Sequence, residues 1–256
     1  MITLTLTTTI ILIAVSFGAG FIDSIAGGGG LLLLPALLVA GVPPQLTLGT
    51  NKFASSFGTT IAFINFVRNK KVVWRIVAVG LLFCLFGSAI GTKSVLLFSN
   101  ESIGKIIVIL LPLAMLATLV PRKTRTVTGE LPNNGIYLKV PFINFFIGFY
   151  DGFFGPGTGS FLILAFYLFM GLDLVRASAT AKAFNLASNI SALLIFLLNG
   201  KVLFYLGIPL ALANIAGNYL GSSLVLTIGS KVVKICLFIS FITLTISLVF
   251  KYFIMQ

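Results

Sequence analysis

The sequence predicts an all-α polytopic integral membrane protein with two homologous halves, an internal repeat in inverted relation, and helices broken by glycine. Three observations point to this. Of 256 residues, 58% are hydrophobic and 9% charged, with a mean hydropathy of +1.15, whereas an ordinary soluble domain carries about 25% charged residues. Uncharged runs that span a bilayer once their flanks are added recur along the chain: Phe53 to Val67, Ile76 to Thr92, Ile106 to Pro121, Ala183 to Gly200, Val202 to Ser230 and Ile235 to Phe250. Finally, GFIDSIAGGGG at Gly20 to Gly30 returns as GFYDGFFGPGTG at Gly148 to Gly159.

The first membrane segment is expected over Ile2 to Ala26. It has no basic n-region and no small-residue cleavage site, so it does not read as a removable signal peptide. Up to Val67 the only charges are Asp23 and Lys52. Between them lie four consecutive glycines, Gly27 to Gly30, each of which weakens a helix. Irregular backbone at membrane depth is tolerated only where it lines a cavity or is buried in protein. Leu31 to Ala40 is too short to span and reads as a half-helix or re-entrant arm. Gly41-Val42-Pro43-Pro44 then turns the chain, and a helix is expected from about Leu48 to Val67.

Arg68, Lys70, Lys71 and Arg75 crowd into one short loop, which marks it as cytoplasmic. Helices over about Val72 to Phe98 and Ser102 to Val120 lead to a second basic loop with Arg122, Lys123, Arg125 and Lys139. The expected division is a first membrane repeat over 1–121, a cytoplasmic linker over 122–139 and a second membrane repeat over 140–256.

The repeat keeps its register. Asp23 pairs with Asp151, Gly27 with Gly155, and Gly29 with Gly157; Lys52 pairs with Lys182, Asn69 with Asn199, and Lys71 with Lys201. GSAIG at Gly87 pairs with GNYLG at Gly217, both of which read as helix-packing faces. One offset serves every pair from Lys52 onward, as expected for a pseudo-twofold carrier. The halves are parallel if the short arms do not cross and inverted if they do. The thinly basic loop at Lys201, against four basic residues from Arg68 to Arg75, favours inversion.

Three constellations could carry chemistry. Lys52 and Lys182 lie well inside apolar helices, where a lysine costs about 2.5–3.5 kcal/mol on insertion scales. Helical spacing puts Lys52 on a face with Ser56 and Thr59, next to Asn51, and Lys182 on a face with Asn185 and Asn189. Such a group suits a dehydrated oxyanion, although two lysines snorkelling to an interface would also explain the charges. The glycine breaks, with Gly28, Gly29, Gly157 and Thr158 as candidate contacts, would expose the positive ends of the half-helices that follow; close helix packing is the plainer alternative. Asp23 and Asp151 read either as coupling groups that carry a proton or as braces for the broken helices.

Several classes are disfavoured. The chain has no histidine, which rules out a histidine metal centre or proton relay, and its two cysteines, Cys84 and Cys236, lie in apolar runs as buried, unreactive thiols. No catalytic constellation, metal site or cofactor is expected. The net charge of +12 sits mainly at the ends of apolar runs, which argues against nucleic acid as a partner.

GFIDSIAGGGG, the PALL and GVPP that follow, GTNKFASSFGT and NFVRNKKV together resemble the sulfite exporter TauE/SafE family, and the likeness extends through GFYDGFFGPGTG across essentially the whole chain. The resemblance implies a multi-pass carrier of a bacterial-type inner (plasma) membrane. It would be a secondary transporter, an exporter, moving small sulfur-containing or organic oxyanions such as sulfite or sulfonates by alternating access. A passive anion channel and a membrane scaffold without transport activity are the alternatives. The expected partners are a small anionic substrate and the lipid bilayer; the sequence leaves the oligomeric state open.

Overall fold

The computed structural model describes residues 4–118 and 136–229. Among these residues there are nine helices and no strand: α1 (Leu6–Ala26), α2 (Gly30–Val39), α3 (Pro44–Arg68), α4 (Trp74–Leu96), α5 (Asn100–Thr118), α6 (Ile136–Phe153), α7 (Thr158–Phe169), α8 (Leu174–Leu198) and α9 (Phe204–Ile228). The protein is therefore all-α. Helices α1, α4, α8 and α9 are long and apolar enough to cross a membrane, and α3 is as long as α8 but more polar. The basic cluster at Arg122, Lys123 and Arg125, the run Ile235 to Phe250 and Cys236 lie outside the described residues.

Element boundaries follow backbone chemistry. α1 ends at Gly27, which adopts φ +75° and donates its N–H to Asp23 O at 2.8 Å; only glycine takes this left-handed cap without strain. α2 has 10 residues, about 15 Å of helix, or half the hydrocarbon core. The helix expected from Leu48 begins instead at Pro44. A proline at the first helical position loses no hydrogen bond, because that N–H has no intrahelical partner in any case, so the proline pair turns the chain and starts the helix together. At the linker, residues 136–139 already belong to α6.

Side-chain contacts set the direction of each helix. Ser16 donates to Leu210 O at 2.8 Å, and further along both helices Ser24 meets Gly221, so α1 and α9 run parallel. Thr50 and Asn65 of α3 meet Leu203, the residue before α9, and Ser222 of α9 in the same sense. Gly148 lies against Cys84, and Thr92 donates to Gly152 O at 3.1 Å, which makes α4 and α6 parallel. Cys84 and Ser88 donate to the carbonyls of Phe184 and Ser188, which aligns α8 with them. Across the middle the order reverses: Lys52 meets Asn189 while Gly49 meets Phe196, and Lys182 meets Asp23 while Ser178 meets Ile25. Helices α1, α3 and α9 thus point one way, and α4, α6 and α8 the other. The helices that the sequence register pairs, α1 and α6, α3 and α8, and α4 and α9, are antiparallel.

The inter-half packing repeats as well. α4 lies along α6 and α1 along α9 through glycines: Gly87 and Gly91 abut the Phe145 and Phe149 backbone, and Gly217 and Gly221 abut that of Phe17 and Phe21. A methyl at any of the four would strike main chain, so these are the helix-packing faces the sequence suggests. Buried and exposed positions alternate identically over 61–70 and 191–200. The outer surface is apolar, with Leu82, Phe83, Phe86, Leu212 and Leu220 exposed, while Asn144, Ser88, Asn218 and both candidate lysines are buried. Lipid explains that inversion, since apolar side chains lose nothing by facing hydrocarbon whereas polar groups need internal partners.

Asn69 and Asn199 end antiparallel helices and are both exposed. In a background lacking Cys84 and Cys236, Asn199→Cys should react with a membrane-impermeant thiol reagent on intact cells, and Asn69→Cys only after permeabilisation. Labelling of both from the same side would contradict the antiparallel arrangement of α3 and α8.

Candidate functional site

Both helix breaks lie at the centre and touch. Gly27 packs against Gly159 backbone to backbone, Gly30 faces Pro156, and Ser160 Oγ donates to Ala26 O. An added Cβ on either Gly27 or Gly159 would collide with the other's main chain, so this close approach requires glycine. Gly155 and Gly157 adopt φ +98° and +83°, and Gly157 caps the N-terminus of α7. The N-termini of α2 and α7 therefore meet at one point, each bringing the positive end of a helix dipole.

The lysines reach this point from α3 and α8. Lys52 Nζ donates to Asp151 Oδ2 at 2.7 Å and to Asn189 Oδ1 at 2.9 Å. Lys182 Nζ donates to Asp23 Oδ2 at 2.6 Å, and Thr59 Oγ1 reaches the same carboxylate oxygen at 3.4 Å. Lys52, Lys182 and Asp151 are each 2% exposed or less, and Asp23 is 9% exposed. Each ion pair joins one residue of the first half to one of the second. Neither lysine snorkels: both ammonium groups end inside the protein on a carboxylate.

The polar neighbours hold α3 and α8 in place by a reciprocal tie. Thr50 Oγ1 accepts from Leu203 N and Thr180 Oγ1 from Val73 N, each at 3.1 Å, so each of these helices fastens the loop that follows its counterpart. Gly49 lets α3 approach the Lys201 carbonyl more closely than any side chain would allow.

A cavity of about 20 Å³ lies among these groups, room for about one water molecule. Of the residues singled out in the sequence, Asn51, Lys52, Asn185, Asn189, Thr158, Asp23 and Asp151 line it. Lys182 and Thr59 lie behind Asp23, to which both are bonded. Ser56 is turned aside, its hydroxyl donating to Lys52 O at 2.7 Å. Gly28 and Gly29 do not reach the cavity; Gly29 instead folds back against Ala19 O and the Asp23 side chain. Gly157 shapes the turn before Thr158, which does reach it. Gly27, Gly30, Gly155 and Gly159 of the two glycine breaks also line the cavity, as does Ser55, which was not singled out. Ser55 was within reach of sequence reasoning, because the repeat register pairs it with Asn185. Among the described residues no cluster of three or more potential metal ligands exists.

The sulfite exporter TauE/SafE family profile matches residues 12–248. A probable membrane transporter protein of Haemophilus influenzae is 38% identical over 88% of this chain and 88% of its own length. A probable membrane transporter protein, ORF9, of a Sinorhizobium species is 36% identical over 93% of this chain and 90% of its own. The sulfite exporter TauE/SafE family protein 5 of Arabidopsis thaliana shares 34% identity over a shorter stretch, 35% of this chain and 21% of its own. No solved structure matches the chain at a comparable level of significance.

Removing one partner of a buried pair strands the other charge, at a cost of about 3–5 kcal/mol. Lys52→Ala should therefore lose about that much stability, and adding Asp151→Ala should restore most of it. A double-mutant cycle on unfolding of the purified protein measures this coupling. Additive losses would show that the pair does not hold the halves together.

Proposed function

Because the chain belongs to the sulfite exporter TauE/SafE family, a family of membrane transporters, we propose that it is a secondary transporter of small sulfur-containing or organic oxyanions such as sulfite or sulfonates, working by alternating access in the cell membrane. That it is a multi-pass membrane protein handling a small molecule follows from the family and the spans. The anion, the mechanism and the membrane are the proposal.

The observation that carries it is the meeting of two half-helix N-termini on a cavity whose formal charges cancel. Lys52 and Lys182 are balanced by Asp151 and Asp23, so the remaining potential comes from the helix ends, each equivalent to about half a positive charge. Such ends bind anions through free N–H groups. The NH2 groups of the Asn51, Asn185 and Asn189 carboxamides complete a lining that can donate to oxygen atoms, while the Thr158 hydroxyl is held by Gly155 O.

Alternating access is supported by the same geometry. Helices paired by the sequence register are antiparallel, the breaks touch, and the cavity lies where they meet, an arrangement that suits carriers that rock one repeat against the other around a central site. A cavity of about 20 Å³ is too small for an anion of four heavy atoms, so uptake requires the ion pairs to move. This disfavours a standing channel. The division into repeats over 1–121 and 140–256, joined by 122–139, belongs to the same proposal, with α6 beginning slightly earlier at Ile136.

Purified protein in liposomes should carry sulfite with saturable kinetics. Lys52→Ala should raise the half-saturating concentration roughly ten- to a hundred-fold, the loss of one charge-assisted bond of about 1.5–3 kcal/mol. Large, non-saturating currents would indicate a channel. An unchanged half-saturating concentration would place the site elsewhere.

A further inference from the structure

The two lysines occupy corresponding positions but different surroundings. Lys52 lines the cavity, whereas Lys182 lies behind Asp23 and does not reach it. Around Lys52 stand Asn51, Ser55, Asn185 and Asn189. Asn51 is 5% exposed, and its buried carboxamide oxygen has no hydrogen-bond partner, so no bond through that oxygen keeps the carboxamide from turning its NH2 donors toward a ligand at the one ammonium that faces the cavity. The corresponding position next to Lys182 is Ala181. The repeat register also sets Thr59 opposite Asn189. Thr59 bonds the carboxylate of its pair, whereas Asn189 bonds the ammonium and would keep it oriented if the carboxylate left.

Resting on the oxyanion reading above, we infer that the anion is taken up at Lys52 in place of the Asp151 carboxylate, which leaves as a neutral acid, so that one proton crosses with each monovalent anion. Exchange is required by space. Asp151 Oδ2 sits 2.7 Å from Lys52 Nζ, where an oxyanion oxygen would sit, and the cavity holds about one water molecule and not both groups.

The proton is required by charge. The two pairs are neutral as they stand, and an added anion leaves one negative charge too many in a low-dielectric interior. Among the described residues, the groups around Asp151 offer no other cation. From α3 it meets Lys52; the Cys84 thiol of α4 donates to Phe184 O at 3.3 Å, and on its own helix the Tyr150 hydroxyl donates to Pro156 O at 2.6 Å. On α8, Lys182 is held by Asp23 of α1, Lys93 of α4 is exposed, and α7 carries no charged side chain. A displaced Asp151 therefore binds a proton on one carboxylate oxygen, taken from the side on which the anion enters. It releases that proton on the other side, when the anion departs and the carboxylate returns to Lys52.

The test uses a sulfonate, isethionate, because its own acid stays ionised throughout the working range and any proton that moves must be carried by the protein. The full chain is reconstituted in liposomes with the membrane potential clamped at zero and an internal pH dye. An inward proton gradient should drive isethionate above its equilibrium level, with one proton entering per anion. Asp151→Asn should abolish gradient-driven accumulation, while Asp23→Asn, whatever its rate, should keep the ratio of one. Saturable transport by the unmodified protein without proton entry would overturn the coupling and leave the anion reading standing. Coupling lost in Asp23→Asn but kept in Asp151→Asn would overturn the assignment to Lys52. No saturable flux of isethionate or sulfite would remove the anion reading and this inference with it.

Discussion

A charge buried at membrane depth must have a partner, and in this protein each partner is supplied by the opposite half. Lys52 is held by Asp151 and Lys182 by Asp23, at 2.7 and 2.6 Å. In this arrangement the buried lysine and aspartate of each half are compensated by the other half, and separating the two would strand all four charges. The reciprocal pairs therefore register the halves on one another, and the rest of the centre is consistent with that register. The glycine breaks allow the two backbones to touch at Gly27 and Gly159, while Thr50 and Thr180 fasten each other's loops. The small residues between α1 and α9, and between α4 and α6, let those pairs lie close enough for the charges to meet.

The same arrangement explains how a stable protein could also move. The pairs balance charge but contribute modestly against a hydrophobic alternative, because desolvation offsets most of their attraction. A ligand that takes over one ammonium substitutes one interaction for a similar one, so opening the site need not forfeit the energy of the pair. The two half-helices contribute fixed positive potential at no further cost in charge. Half-helices of 10 and 12 residues are about 15 and 18 Å long, roughly half the hydrocarbon core, and their dipole ends have most effect where solvent does not screen them.

Much of this was legible in the sequence because membrane chains carry few charges, each costly enough to mean something. Asp23, Asp151, Lys52 and Lys182 stand out for that reason, and the glycine runs stand out because helices avoid them. The repeat register then linked the halves and, read further, pointed to Ser55 through Asn185. What the sequence did not reveal was who pairs with whom. Asp23 and Lys52 sit in one half and invite a pairing within it, whereas the folded chain crosses them, because direction and depth in three dimensions are not encoded in spacing along one strand of sequence. The same limit put Ser56 on the site: a shared helical face said nothing about its hydroxyl turning back to Lys52 O. It also hid the start of α3 at Pro44, where a residue that breaks helices elsewhere begins one.

The proposed oxyanion site lies where the two broken helices meet, against Lys52. Selenite has the shape and charge of sulfite and scatters X-rays anomalously, so a crystal of the protein grown with it locates the anion directly. One selenium peak per chain is expected within hydrogen-bonding distance of Lys52 Nζ, between the N-termini of α2 and α7, with Asp151 drawn away from the ammonium. A peak at the basic loop of Arg68 to Arg75, or one with the Lys52–Asp151 pair intact, would contradict it.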